Sequence, residues 1–139
     1  MSPADFRRFA DAEAVVAGWI RSTVAGSRVY SSVPNTPTYP LVTVARTGGI
    51  AAERHYLDQA RIDVNVWGNS KTEAHDLAAL CRAAVHNLEG QIVTGQEPAF
   101  VSGVDDAVGL TWLPDQVTAR DRYVFSVLVY LRPEPFPTS

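Results

Sequence analysis

A chain of 139 residues with a formal charge of -3 has room for one domain and too little for two ordinary ones. Hydrophobic residues make up 46%, enough for a core, and the negative balance argues against an electrostatic grip on nucleic acid as the main task, because phosphate contacts need a basic face. The single cysteine, Cys81, excludes an internal disulfide frame and fits a reducing cytoplasm. No run approaches about 18 apolar residues. The opening MSPADFRRFADAE lacks an apolar signal core, so neither a membrane span nor export is expected.

Ser2, Pro3 and Asp5 read as a helix start. Phe6, Phe9, Val16, Trp19 and Ile20 then recur at helical spacing. Asp11 can act as a second cap, which predicts a helix from about 11 to 24, ended by Gly26. RVYSSVP (28–34) reads as a short strand stopped by Pro34, and PNTPTYP as a stiff loop. LVTVART (41–47) is rich in β-branched residues and is expected to stop at Gly48-Gly49. In ARIDVNVW (60–67), Ile62, Val64 and Val66 share one face while Arg61, Asp63 and Asn65 share the other, the pattern of a half-buried antiparallel strand.

The segment 70–89 is the clearest helix. Ala74, Leu77, Cys81, Ala84 and Leu88 form one apolar stripe, with His75, Arg82 and His86 expected on the opposite side. AFVSGVDDAVGLTWL (99–113) reads as a strand with a bulge at Gly103 or Gly109. PDQVTARD is a polar loop, RYVFSVLVYLR (122–132) the strongest strand, and 133–139 an extended tail rich in proline. The order is α-β-β-β-α-β-β. This is one α+β domain over 1–139, with two helices on one face of a mainly antiparallel sheet of about five strands.

The stretch GNSKT (68–72) raises the question of a phosphate loop. Such a loop needs several glycines and the spacing GxxxxGK[ST]. Gly68 stands alone and Ser70 precedes Lys71, whereas Ser70 and Glu73 make the S-x-x-E of a capping box. The cap is the better reading.

His75 and His86 lie on one helix about 16 Å apart, too far to share a metal, and no HExxH or second cysteine completes a zinc set. Cys81 on the apolar stripe reads as a small hydrophobe. Asp105 and Asp106 are adjacent and point to opposite faces of a strand, so turn acids are the ordinary explanation. No catalytic constellation, cofactor site or metal site emerges.

The last strand is apolar on both faces. Tyr123, Phe125, Val127, Val129 and Leu131 form one stripe, and Val124, Ser126, Leu128 and Tyr130 the other. The first is bulkier and is assigned to the core. The second is expected to meet either the rest of the subunit or a neighbouring one.

Taken together, DAEAVVAGWI, RVYSSVPNTPTYPLVTVARTGG, LDQARIDVNVWGNSKTEAHDLA, the LPD turn and RYVFSVLVYLRP make a chain that resembles the tail terminator proteins of long-tailed phages, particularly those of actinobacterial hosts. Order and spacing carry the resemblance. It implies a small α+β subunit, without catalysis or cofactor, that forms a hexameric ring. It implies a place at the head-proximal end of the virion tail after assembly in the host cytoplasm. Its implied partners are the major tail tube protein and the head–tail connector proteins, with duplex DNA passing through the lumen ungripped and no membrane involved. The family transfers no site residues. From this sequence, the expected interface comprises Arg46, then Arg54, His55 and Tyr56 in a long loop from Gly48 to Leu57, then Trp112, Asp115 and Arg120 around the loop from Pro114 to Arg122, and Leu128 and Tyr130 on the second stripe. Two alternatives stay open: a neck or head-completion connector, and a small ferredoxin-like enzyme using Asp63, His75 or Asp115.

Overall fold

The computed structural model of the chain describes residues 10–52, 57–93 and 99–133. Asp11 caps the first helix, α1 (Ala12–Thr23), by accepting from the amides of Glu13 and Ala14 at 3.0 and 3.3 Å. This satisfies donors that the first turn leaves unpaired. Val16 and Ile20 are buried as the spacing predicts, Trp19 is half-buried, and Ala17 is buried beside them. The earlier expected start at Ser2-Pro3, with Phe6 and Phe9, lies outside the described residues.

Strand β1 (Val29–Tyr30) runs parallel to β2 (Leu41–Ala52). It is far shorter than the expected 28–34, because the chain bends at Ser31 and Ser32. β2 returns as β3 (Leu57–Trp67), antiparallel over its whole length. Within the expected loop from Gly48 to Leu57, the described residues 48–52 and Leu57 are strand. A bulge between Arg46 and Gly48 absorbs one residue. Gly49 then takes φ +107°, where a Cβ would lie 2.0 Å from the carbonyl oxygen of Gln59. The glycines serve close pairing of the hairpin rather than ending the strand.

Helix α2 (Lys71–His86) follows. Ala74, Ala78, Cys81, Ala84, Val85 and Leu88 are buried, and Leu77 is half-buried, so the stripe is turned slightly from the expected one. Strand β4 (Ile92–Val93) adds a sixth strand to the expected five. Next come β5 (Ala99–Trp112), with bulges after Val101, Asp106 and Val108, the first and last at the expected Gly103 and Gly109, and β6 (Arg122–Pro133). The sheet order is β1-β2-β3-β6-β5-β4, antiparallel except for β1. The fold class is the expected α+β arrangement.

Both helices pack on one face. Phe125, Val127, Val129 and Leu131 of β6, Ile62, Val64 and Val66 of β3, and Val42 and Val44 of β2 are fully buried there. The Trp19 indole N–H donates to Ala84 O at 2.6 Å and ties the helices together. Cys81 is fully buried on this side, and burial pushes its thiol up to about 12. No helix among the described residues is long and apolar enough to cross a membrane.

Phe125 sits at the centre of this layer with no exposed surface. Phe125→Ala is expected to cost about 3–5 kcal/mol of stability, read by denaturant unfolding. A loss under about 1 kcal/mol would contradict its place in the core.

Candidate assembly interface

In the turn between β3 and α2, three backbone amides are engaged within the chain. Gly68 N–H donates to Asp121 O at 3.1 Å, Asn69 N–H to Glu73 Oε1 at 2.8 Å, and Glu73 N–H to Ser70 Oγ at 3.1 Å. The Glu73 side chain thus completes the box one residue before the cap. Gly68 is glycine because a Cβ there would lie 2.6 Å from the amide of Ala74. Lys71 Nζ sits 4.0 Å from the ring centroid of Trp112, a cation–π contact. GNSKT is a helix cap held against the last hairpin.

That hairpin forms one end of the molecule. Asp115 accepts from the Trp67 indole at 3.0 Å and from the Val117 amide at 2.9 Å, and these bonds hold its carboxyl below the usual range. The Arg120 guanidinium stacks 3.7 Å from the Tyr39 ring centroid and donates to Asn69 Oδ1 at 3.2 Å. Asp115 and Arg120, expected at the interface, thus shape the loop from within. Beside Gln116 and Thr118, this loop exposes three large apolar residues: Val117 is 94% exposed, Leu113 50% and Trp112 45%. Trp112 was anticipated. Leu113 and Val117 were not, although two apolar residues in the otherwise polar run LPDQV were the signal.

At the hairpin of β2 and β3, Arg46 makes a two-pronged pair with Asp58, both contacts at 2.7 Å. Its backbone amide donates to Glu13 Oε2 at 3.1 Å. Asp58 is only 3% exposed, and its bond to Arg46 holds the guanidinium above its ordinary pKa. Arg46 therefore braces the hairpin, and Ile50 further out is exposed. Arg54, His55 and Tyr56 lie outside the described residues.

The second stripe of β6 faces away from both helices. Leu41 and Trp67 are buried at one end of this face, where the Arg122 guanidinium lies 5.7 Å from the Trp67 ring centroid. Elsewhere on it Asp63, Asn65, Val124, Leu128 and Tyr130 are half-buried and Arg61 is exposed. Burial, and then the Asp105 carboxylate, push the Tyr130 phenol up. Ser126 Oγ donates to Asp63 Oδ1 at 2.6 Å.

The residues of the enzymatic alternative are not gathered. Asp63 lies on this open face, Asp115 in the last hairpin, and His75 on the helix side against the Tyr123 ring, with centroids 5.2 Å apart. Among the described residues no group of three or more His, Cys, Asp or Glu side chains is arranged to hold a metal. A cavity of about 200 Å³ beside α1, lined by Asp11, Glu13, Arg21, Ser31 and Val44, is smaller than the roughly 300 Å³ at which ligand pockets begin.

Two expectations about polar residues are corrected. Asp105 and Asp106 are strand residues of β5, not turn acids. Arg82 and His86 are not solvated opposite the stripe, because Asp106 reaches the edge of α2 and binds both. The His86 Nε2 contact is 2.8 Å, and Arg82 Nη2 pairs with the other oxygen. These partners, Arg82 first, hold the Asp106 carboxyl below its ordinary pKa.

Residues 13–124 match the sequence profile of a family described as tail completion protein gp17. No curated protein shows a significant match to the chain.

Two outcomes follow from these contacts. Ser70→Ala is expected to cost roughly 0.5–2 kcal/mol by loss of the cap, with no change in nucleotide affinity. Saturable ATP binding by the wild type that vanishes in Lys71→Ala would contradict the cap reading. A carboxyl depressed in the folded state stabilises above its unfolded pKa, near about 3.9, and that stability is lost as pH falls through the folded value. Asp106→Asn is therefore expected to unfold with a shallower pH dependence below about pH 4 and to be less stable at pH 7. An unchanged acid limb would show that Asp106 is not so paired.

Proposed function

The chain belongs to the tail completion protein gp17 family, and as a phage tail structural protein of that family it is, we propose, the terminator ring of the tail. Six copies close a ring on the last layer of the tail tube and stop its polymerisation. The free side of the ring receives the head–tail connector proteins at the head-proximal end.

The observation that carries this reading, beside the family, is the one-sided burial of the sheet. On one face of β6 the subunit buries Phe125, Val127, Val129 and Leu131 fully, with Tyr123 half-buried at the end; on the other it buries Ser126 and leaves Val124, Leu128 and Tyr130 half-buried. A neighbouring subunit or the docked tube completes that face. Tyrosine suits the position, with an apolar ring for contact and a hydroxyl for a hydrogen bond at the rim. The exposed Leu113 and Val117 of the last hairpin offer a second apolar contact at one end of the subunit. The formal charge of -3 per chain favours passage of duplex DNA through the lumen without adhesion, because like charges repel.

Phage lacking this protein are expected to make headless tails of abnormal length. Full heads beside unattached tails of normal length would instead identify a neck protein. Tyr130→Asp is expected to leave the melting transition of the monomer intact while weakening assembly, because it buries an unpaired charge at the contact. Native mass spectrometry with and without the tube protein reads both, and assembly equal to wild type would sink the assignment of this face. Duplex DNA at physiological salt is expected not to shift in a gel, and sub-micromolar sequence-specific binding would overturn the lumen reading.

A further inference from the structure

Each border of the sheet carries a length of strand that no other described strand pairs with. On one side β1 pairs with β2 only at Val42 and Thr43. On the other side β4 pairs with β5 only at Phe100 and Ala99, and the chain at Gly90 and Gln91 extends the contact to Val101. The next outward amide on each side is stopped by a carboxylate. Arg46 N–H donates to Glu13, and Val104 N–H donates to Glu89 Oε1 at 3.1 Å. Beyond these points no described strand pairs with β2 over 45–52 or with β5 over 105–112. Alternation along the strand turns the amide of Asp106 outward like that of Val104.

These two lengths are matched. Each is eight residues, about 26 Å at roughly 3.3 Å per residue. They lie on opposite borders of one sheet. β2 is antiparallel to β3, β3 to β6, and β6 to β5, so β2 and β5 run in opposite directions. A copy rotated about an axis along the strands brings its β5 beside β2 in antiparallel register.

Unpaired strand borders invite pairing with another chain, and natural proteins normally blunt them. Here the blunting is partial. Bulges after Arg46, Val101, Asp106 and Val108 twist the borders and disfavour arbitrary strands, while the amides between them stay available.

We propose that subunits join by sheet extension, the free length of β2 in one copy pairing antiparallel with the free length of β5 in the next. This rests on the ring reading and names the contact that closes it. Because the contact joins different borders, it is head-to-tail and generates a ring when the rotation closes. The helices then fall on one side of the ring wall and the open face of β6 on the other, so that of the two candidates for covering that face the docked tube remains and the neighbouring subunit does not.

Hydrogen exchange of the full chain, read by mass spectrometry, tests this without a variant. The assembled ring, alone or on the tube as native mass spectrometry shows, is compared with monomer at low concentration. Exchange across 45–52 and 105–112 is expected to slow at least tenfold together. A ring that forms with both lengths exchanging as in the monomer overturns the contact and leaves the ring reading standing. Protection of one length alone, as in a symmetric pairing of β2 with β2, also overturns it. A chain that stays monomeric alone and with the tube protein overturns both. Cysteines placed at Ile50 and Val108, both exposed and outside the core, supply a second readout. The double variant is expected to oxidise to a ladder of linked copies, and each single variant to no more than a dimer. A double variant that also stops at dimer counts against the contact.

Discussion

Phe125, Val127, Val129 and Leu131 have no exposed surface, and their burial on the side that α2 covers decides which way every strand of the sheet must face. Each such side chain contributes about 1.5–3 kcal/mol when removed from water. A slip of one residue in β6 would exchange this stripe for Val124, Ser126, Leu128 and Tyr130. The register that follows places Val64 opposite Phe125 and Ile62 opposite Val127. It also sends Asp63, Ser126 and Tyr130 to the open side. The same constraint brings Asp106, opposite Val127, to the helix side within reach of Arg82 and His86.

Two short helices cannot wrap a sheet whose four long strands run to between 11 and 14 residues. Among the described residues, one face and parts of both borders stay uncovered. An assembly protein needs such surfaces, and the groups around them are arranged to keep the isolated subunit ordered. Asp115 and Arg120 fix the last hairpin from within, Arg46 and Asp58 brace the first, and Glu13 and Glu89 stop the strand borders. Arg46, Asp115 and Arg120 make bonds that shape these loops, and Val117 at the tip of the last one is exposed.

The elements with strong periodicity were legible in the sequence. α1, α2, β3 and β6 fall close to their expected places, because burial imposes a period of 3.6 or 2 on their apolar residues. The core stripe of β6 was legible for the same reason. What was not legible depends on partners distant in sequence. Gly48 and Gly49 read as a stop because glycine ordinarily weakens a strand, and only the close approach of Gln59 shows why glycine is needed there. β4 is two residues long and exists only by pairing with β5. The Asp106 pairs join residues 20 and 24 apart, and no local pattern announces them. Of the expected interface, Leu128 and Tyr130 are on the open face and Trp112 is exposed, while Arg46, Asp115 and Arg120 make bonds within the subunit.

The central claim is that this subunit closes the head-proximal end of the tail tube as a ring. Electron micrographs of tails carrying a labelled copy of the protein test it directly. The account predicts label at one end of each tail, on the side that receives the head, with six-fold symmetry in end-on views of the purified assembly. Label distributed along the tube, or found on heads separated from tails, would contradict it.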